Sequence, residues 1–270
     1  MFIDSGGYEL IPDFDRTELK TFAYGPKEDY WIEQYKAVLQ NLMALEEPLP
    51  LVIANFDRAS TGKPIGDQIT AARDLFYDFP APLKDFILKP FTPDSEKVDP
   101  QKIPPDDFAN LAGFDIVGIA EKELGRDPLD RLETVARFRQ GLDNAGLHTV
   151  PIHIWGGLDP VMTPLYFFAG AEIFDGVSWL RYAYRDGVAI NRESHSILNE
   201  RMGVNTSSNE NNALTGLMNV RFLDNLSASL QEWFDKKATS FDMFESGVRN
   251  HFEKAYDIMT TRIGPLKGGS

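Results

Sequence analysis

Residues 150–157 read Val150-Pro151-Ile152-His153-Ile154-Trp155-Gly156-Gly157, a brief apolar and aromatic run that stops at two glycines. Such a run predicts a short strand covered on both faces, Val150–Trp155. On its N-terminal side, Leu129–Ala145 carries Leu129, Leu132, Val135, Ala136, Leu142 and Ala145 on one helical stripe. Asp127 stands at the N-cap, Pro128 at the first helical position and Gly146 just past the end. On its C-terminal side, Met162–Ala169 is a short apolar helix, followed by a second strand, Glu172–Phe174. This alternation predicts a parallel sheet or barrel.

The pattern extends outward in both directions. Met1–Ile3, Leu51–Phe56, Asp85–Leu88 and Phe114–Ile119 are further candidate strands, and Asp29–Glu46 is a helix with Trp31, Tyr35, Val38, Leu39, Leu42 and Leu45 at helical spacing. Thr92–Pro105, with Pro93, Pro100, Pro104 and Pro105, reads as an irregular loop. Gly203–Asn212 reads as a polar linker before two final helices, Ala213–Lys236 and Ser240–Thr261. The expectation is an α/β chain: a TIM-type (β/α) barrel region over 1–202, incomplete at its N-terminus, and a helical region over 203–270 packing on it.

Composition narrows the function classes. The chain of 270 residues is 43% hydrophobic and has no cysteine, so disulfides and thiolate metal sites are excluded. Met1–Leu10 lacks the basic and apolar segments of a signal peptide, and no apolar run is long enough to span a bilayer. A cytoplasmic protein without membrane association is expected. The 41 acidic against 27 basic side chains, a net charge of −14, oppose broad contact with a polynucleotide. Arg181, Arg185, Arg192 and Arg201 form a local basic segment, which as a bland alternative is a solvated loop. The four histidines show no metal-binding spacing: His153 is placed in a strand, as a core residue or a wall of the site, and His148, His195 and His251 at the surface.

The polar residues share a position. Asp4 follows Phe2-Ile3, Asp57 follows Val52–Phe56, Lys89 follows Phe86–Leu88, Gly156 and Gly157 follow Ile152–Trp155, and Asp175 follows Ile173-Phe174. The carboxyl ends of parallel strands carry the active sites of α/β folds. A lone aspartate there is ordinarily a helix cap or turn former; three in one frame point to a shared site. Paired carboxylates suit glycosidic chemistry, one attacking the anomeric carbon and the other moving protons, with no metal and no organic cofactor required. A third can accept hydrogen bonds from the N–H groups of a base.

At these residues the chain resembles the tRNA-guanine transglycosylase superfamily. Asp4-Ser5-Gly6-Gly7-Tyr8-Glu9 is similar to its DSGG(F/Y)Q motif, Asn55-Phe56-Asp57 to its base-reading segment, Phe114–Glu121 and His153–Pro160 to its glycine-bearing segments, and Ile173–Val177 with Arg181 to its nucleophile motif. The resemblance covers roughly residues 1–200 in family order. It implies Asp4 as general base and Asp175 as nucleophile, both catalytic. It implies substrate contacts from Ser5, Gly6, Gly7, Tyr8, Asp57, Lys89, Gly118, Trp155, Gly156, Gly157 and Arg181. The implied partners are a guanine or 7-deazaguanine base and a tRNA or DNA. The departures are equally specific. Two family strands before the DSGG strand and the zinc-binding cysteines are missing, Glu9 and Lys89 replace family glutamines, and Ile119 stands for a glycine. These point to a divergent branch, the DNA-modifying enzymes among the candidates, and to an open sheet covered by a homo- or hetero-oligomer or by a helical plug from the C-terminal region. A non-catalytic partner subunit of a transglycosylase complex is the alternative, and an unrelated barrel glycosidase a third.

Overall fold

The computed structural model describes residues 1–4, 28–45, 49–57, 60–92, 95–199, 202–264 and 266. Six short strands form one sheet in the order β1-β2-β3-β4-β5-β6: β1 Phe2–Ile3, β2 Val52–Ala54, β3 Leu83–Leu88, β4 Ile116–Ala120, β5 Ile152–Trp155 and β6 Ile173–Phe174. The ladders β1–β2, β2–β3, β3–β4 and β5–β6 are parallel. Each strand expected from the sequence is present. The protein is thus a mixed α/β chain with a parallel sheet and C-terminal helices. It divides into two compact units, residues 1–123 with 141–151, and residues 124–140 with 152–270.

In the first unit, α1 (Glu28–Met43), α2 (Ile65–Tyr77) and α3 (Pro105–Asn110) accompany β1–β4. α2 follows Pro64 and buries Ile65, Ile69, Ala72, Leu75 and Phe76, an amphipathic stripe that makes it a helix despite its Gly66 and Thr70. Ile53, Phe86, Leu88, Val117 and Ile119 are fully buried strand residues, and Phe86 stacks on Phe114 with centroids 4.6 Å apart. Tyr35 of α1 donates its hydroxyl hydrogen to Ala54 O at 2.7 Å and lies 3.3 Å from Ile3 O, joining the carboxyl ends of β1 and β2. Burial, and after it the Asp4 carboxylate, push the Tyr35 phenol well above its usual value, so it remains a donor.

The second unit is organised by rings. α4 (Pro128–Asn144) precedes β5 in the chain. α5 (Met162–Ala169) ends at Gly170, whose φ of 113° lies in the left-handed region that a helix C-terminus uses. Its Phe168 sits among Trp233, Phe241, Phe244, Phe252 and Tyr256 with centroids 4.4 to 6.3 Å away. These rings come from α8 (Ser208–Asp235), α9 (Ser246–Ile263) and the turn between them. Burial of such side chains contributes about 1.5–3 kcal/mol each. A hairpin, β7 (Tyr182–Arg185) and β8 (Val188–Asn191), follows the short helix α6 (Ser178–Arg181). Its turn, Asp186-Gly187, has φ 51° and 81°, matching the twist of a two-residue hairpin loop. Buried Asn219 of α8 accepts from Tyr184 N at 2.7 Å and donates to Trp179 O and Tyr182 O at 2.7 and 2.8 Å.

Three expectations change. The polar segment 203–212 is not all linker: Ser207 and Glu210 form a capping box, so α8 starts at Ser208. The last helix starts at Ser246 instead of Ser240. His195 is not at the surface. It lies in α7 (Arg192–Leu198), whose phase turns His195 and Ser196 inward against α8, leaving the imidazole about 1% exposed.

Neither ring nitrogen of His195 has a hydrogen-bond partner among the described residues. Burial, and secondarily the Arg185 guanidinium, hold its protonation below the usual imidazole range. The unfolded chain therefore takes up a proton near pH 6.5 while the folded one resists it. The stability linked to His195 is present above that pH and declines as pH falls toward the folded value. His195→Phe should keep its stability at pH 7.5 and flatten the loss between pH 7 and 5. Urea denaturation across that range checks this; a variant as acid-sensitive as the parent would contradict it.

Candidate active site

In the first unit the carboxyl ends of β2, β3 and β4 meet in one ion cluster. Lys89, next after β3, places Nζ 2.6 Å from Glu123 Oε1 and 3.1 Å from Asp57 Oδ2. The three side chains are only 7, 10 and 17% exposed. Asp57 follows β2, and Glu123 closes the 3₁₀ turn after β4. The backbone that presents them is itself clasped. Asn55 accepts from Ile87 N at 2.5 Å and donates to Ile87 O at 3.3 Å. Buried Gln68 of α2 accepts from Lys89 N at 3.0 Å and donates to Lys89 O at 3.2 Å and Lys63 O at 2.8 Å. These amide side chains continue the β2–β3 ladder beyond its last backbone pair.

The cluster has one cation for two carboxylates. Burial opposes the Lys89 charge, but Asp57 and Glu123 outweigh it and hold the ammonium above its usual range. Burial raises the Glu123 carboxyl against the pull of Lys89. Glu123 Oε2 is buried without a hydrogen-bond partner among the described residues. Glu123 was not singled out by sequence; its signal was an acid in the same strand-end position as Asp57 and Lys89. Asp4 stands directly after β1, exposed. Gly118 is buried in β4, registered opposite Ile87. Ser5, Gly6, Gly7 and Tyr8 lie outside the described residues.

In the second unit, β5 and β6 end at a different group of side chains. Asp175, next after β6, accepts a hydrogen bond on Oδ1 from Gly156 N at 2.6 Å, and its side chain is 47% exposed. His153 Nε2 lies 3.5 Å from the same oxygen. The His153 ring is 1% exposed and faces Trp155 at 4.3 Å and 31°. Gly156 has φ 77°, a conformation that favours glycine and turns its amide onto the carboxylate. At Gly157 a Cβ would meet Ile154 Cγ2 at 2.5 Å. The loop beyond is fixed by Asp159, which accepts from Val161 N and Met162 N at 2.9 Å. Thr163 bonds both Asp159 N and Gly157 O, also at 2.9 Å. The Ser178 hydroxyl reaches Leu158 O and the Tyr184 hydroxyl, tying the chain after β6 to this loop.

Arg181 is exposed at the end of α6. Of the neighbouring arginines, Arg185 pairs with Asp186 at 3.2 Å and donates to Leu198 O, while Arg192 donates to Asn212 and Trp179 O. Both serve local structure, and Arg201 lies outside the described residues. Among the described residues no group of three or more His, Asp or Glu could hold a metal ion, and no helix is long and apolar enough to cross a membrane. No protein-family model matches the chain, and no curated protein matches it.

The structure thus brings Asp57 to Lys89 and Asp175 to Gly156, and adds Glu123 and His153 to these two groups. Removing one member of a buried ion cluster leaves uncompensated charge, typically a cost of about 3–5 kcal/mol. Lys89→Met should show that loss at pH 7.5. It should regain part on acidification, since the folded state then protonates Glu123 more readily than the unfolded chain does. Lys89→Met/Glu123→Gln should be more stable than the single variant in chemical denaturation at pH 7.5. Equal stability of the two would contradict this account.

Proposed function

We propose that the chain is a base-exchanging transglycosylase acting through a covalent glycosyl-aspartate intermediate. The observation that carries this is Asp175: a half-exposed carboxylate at a strand end, with one oxygen anchored by the Gly156 amide at 2.6 Å. A nucleophile needs that combination of an anchored carboxylate and open access. The ordered resemblance of the segments around Asp4, Asp57, Gly118, Gly156 and Asp175 supplies the reaction class.

Asp175 attacks C1′ of a guanosine unit, the C1′–N9 bond breaks, and guanine leaves with the bonding pair and takes a proton from the Asp4 carboxyl. Asp4 then removes a proton from an incoming 7-deazaguanine. The new C1′–N bond forms as the ester bond to Asp175 breaks. Trp155 offers a stacking surface and the Gly156-Gly157 backbone close approach to a flat base; by resemblance, Tyr8 and Gly6-Gly7 take the same parts. In this reading the sheet belongs to a (β/α) barrel completed by further strands, within a homo- or hetero-oligomer. Lys89 favours a changed base specificity, because it engages the aspartate that would otherwise face the base. The same ion pair is the observation that favours the second reading, a non-catalytic partner subunit: an Asp57 committed to Lys89 is less available to a ligand.

Labelled-guanine exchange with tRNA, duplex DNA and free guanosine tests the proposal. Wild type should exchange at least one of them. Asp175→Asn should abolish exchange and any trapped adduct, a loss of roughly 8 kcal/mol or more in transition-state stabilisation. Asp4→Asn should slow turnover about a hundred- to ten-thousandfold. Exchange unchanged by Asp175→Asn would sink the nucleophile assignment, and an inactive wild type would favour the partner reading.

A further inference from the structure

Asp175 is the exposed partner in a contact whose other member is buried. His153 and Trp155 are two residues apart on β5, so both project to one face of the strand, where their rings face each other at 4.3 Å. The His153 imidazole is 1% exposed and cannot swing away, whereas the Asp175 carboxylate is 47% exposed. A single hydrogen bond from Gly156 N fixes one oxygen but still lets the carboxylate plane turn about its terminal torsion, which is broad for aspartate. A second hydrogen bond on that oxygen would narrow this freedom. His153 Nε2 stands 3.5 Å from Oδ1, just beyond hydrogen-bond range and within reach of a small turn of the carboxylate.

We propose that His153 is a positioning residue for Asp175. With the Gly156 amide it holds Oδ1, so that Oδ2 is the atom that attacks. The inference rests on the reading of Asp175 as the nucleophile. Oδ2 forms the bond to C1′ as the C1′–N9 pair departs with guanine, and Oδ1 becomes the carbonyl oxygen of the ester. When the incoming base attacks, the C1′–Oδ2 pair returns to Asp175 and restores a carboxylate. The Gly156 N–H and the His153 Nε2–H then meet the charge that reappears on Oδ1. His153 therefore acts on turnover and not on substrate binding.

Two measurements on the full chain test this. In the first, imidazole ¹⁵N resonances are recorded for wild type and Asp175→Ala. The His153 Nε2 signal should move by several parts per million, with those of His148, His195 and His251 in place; an unmoved His153 signal would overturn the proposal without any assay of activity. In the second, guanine exchange is followed for His153→Leu and His153→Gln, the glutamine retaining an N–H donor at comparable reach. A misplaced reacting group typically costs about a hundredfold. His153→Leu should lower kcat roughly ten- to hundredfold with KM within about twofold, and His153→Gln should recover at least part of it. Equal loss in both variants, or a loss confined to KM, would overturn the positioning role. Wild type inactive on every substrate would remove the transglycosylase reading itself, while the imidazole resonance would still decide whether the contact exists.

Discussion

The Lys89 ammonium between Glu123 and Asp57 is the interaction on which the carboxyl end of the β2–β3–β4 ladder depends. An ammonium is tolerated in so buried a place only when paired and hydrogen-bonded. Its two carboxylates arrive from the segments after β2 and β4, the strands on either side of β3, so the pairing also fixes where those segments leave the sheet. Asn55 and Gln68 complete the arrangement by bonding the backbone of Ile87 and Lys89 where ladder partners have run out. Ile53, Phe86, Leu88, Val117 and Ile119 supply the apolar drive of this unit, and the ion cluster marks where that apolar interior ends.

The second unit reaches a comparable result by other means. Its mass is carried by rings around Phe168, and the strand ends of β5 and β6 are set by backbone geometry instead of charge. Gly156 turns its amide toward Asp175, Gly157 packs on Ile154, and Asp159 with Thr163 starts α5 within a few residues. The rigidity lies in what surrounds Asp175, while the carboxylate itself stays accessible. That division between a fixed frame and an open reacting group is what covalent catalysis by a carboxylate requires. The proposed function rests on such groups and not on the sheet, since parallel α/β sheets host many unrelated chemistries.

Much of the sheet was legible because its strands are short apolar runs, each ended by a polar residue or glycine. All six runs named from sequence became strands, and Met162–Ala169 and the Asp127-Pro128 helix start were read to within a residue. Other elements hid behind chemistry that invited a different reading. In the segment of Arg181, Arg185 and Arg192 the charge masks the Asp186-Gly187 hairpin turn between Tyr182–Arg185 and Val188–Asn191. Ser207 and Glu210 were counted as linker polarity although their spacing is that of a capping box. His195 looked solvated because nothing in a seven-residue helix reveals which side meets α8. Glu123 becomes part of the candidate site only through contacts across strands, and a linear pattern of apolar residues does not encode such pairings; the same holds for the pairing of His153 with Asp175. Asp57, by contrast, was found in place but already engaged by Lys89.

The covalent sugar ester proposed at Asp175 is tested most directly by peptide mass mapping. The protein would be incubated with guanine-bearing tRNA, DNA or guanosine, denatured, digested and mapped. The account predicts a pentose-bearing adduct on the peptide containing Asp175, with ribose or deoxyribose identifying the substrate. An adduct on another carboxylate, or exchange without any adduct at Asp175, would contradict it.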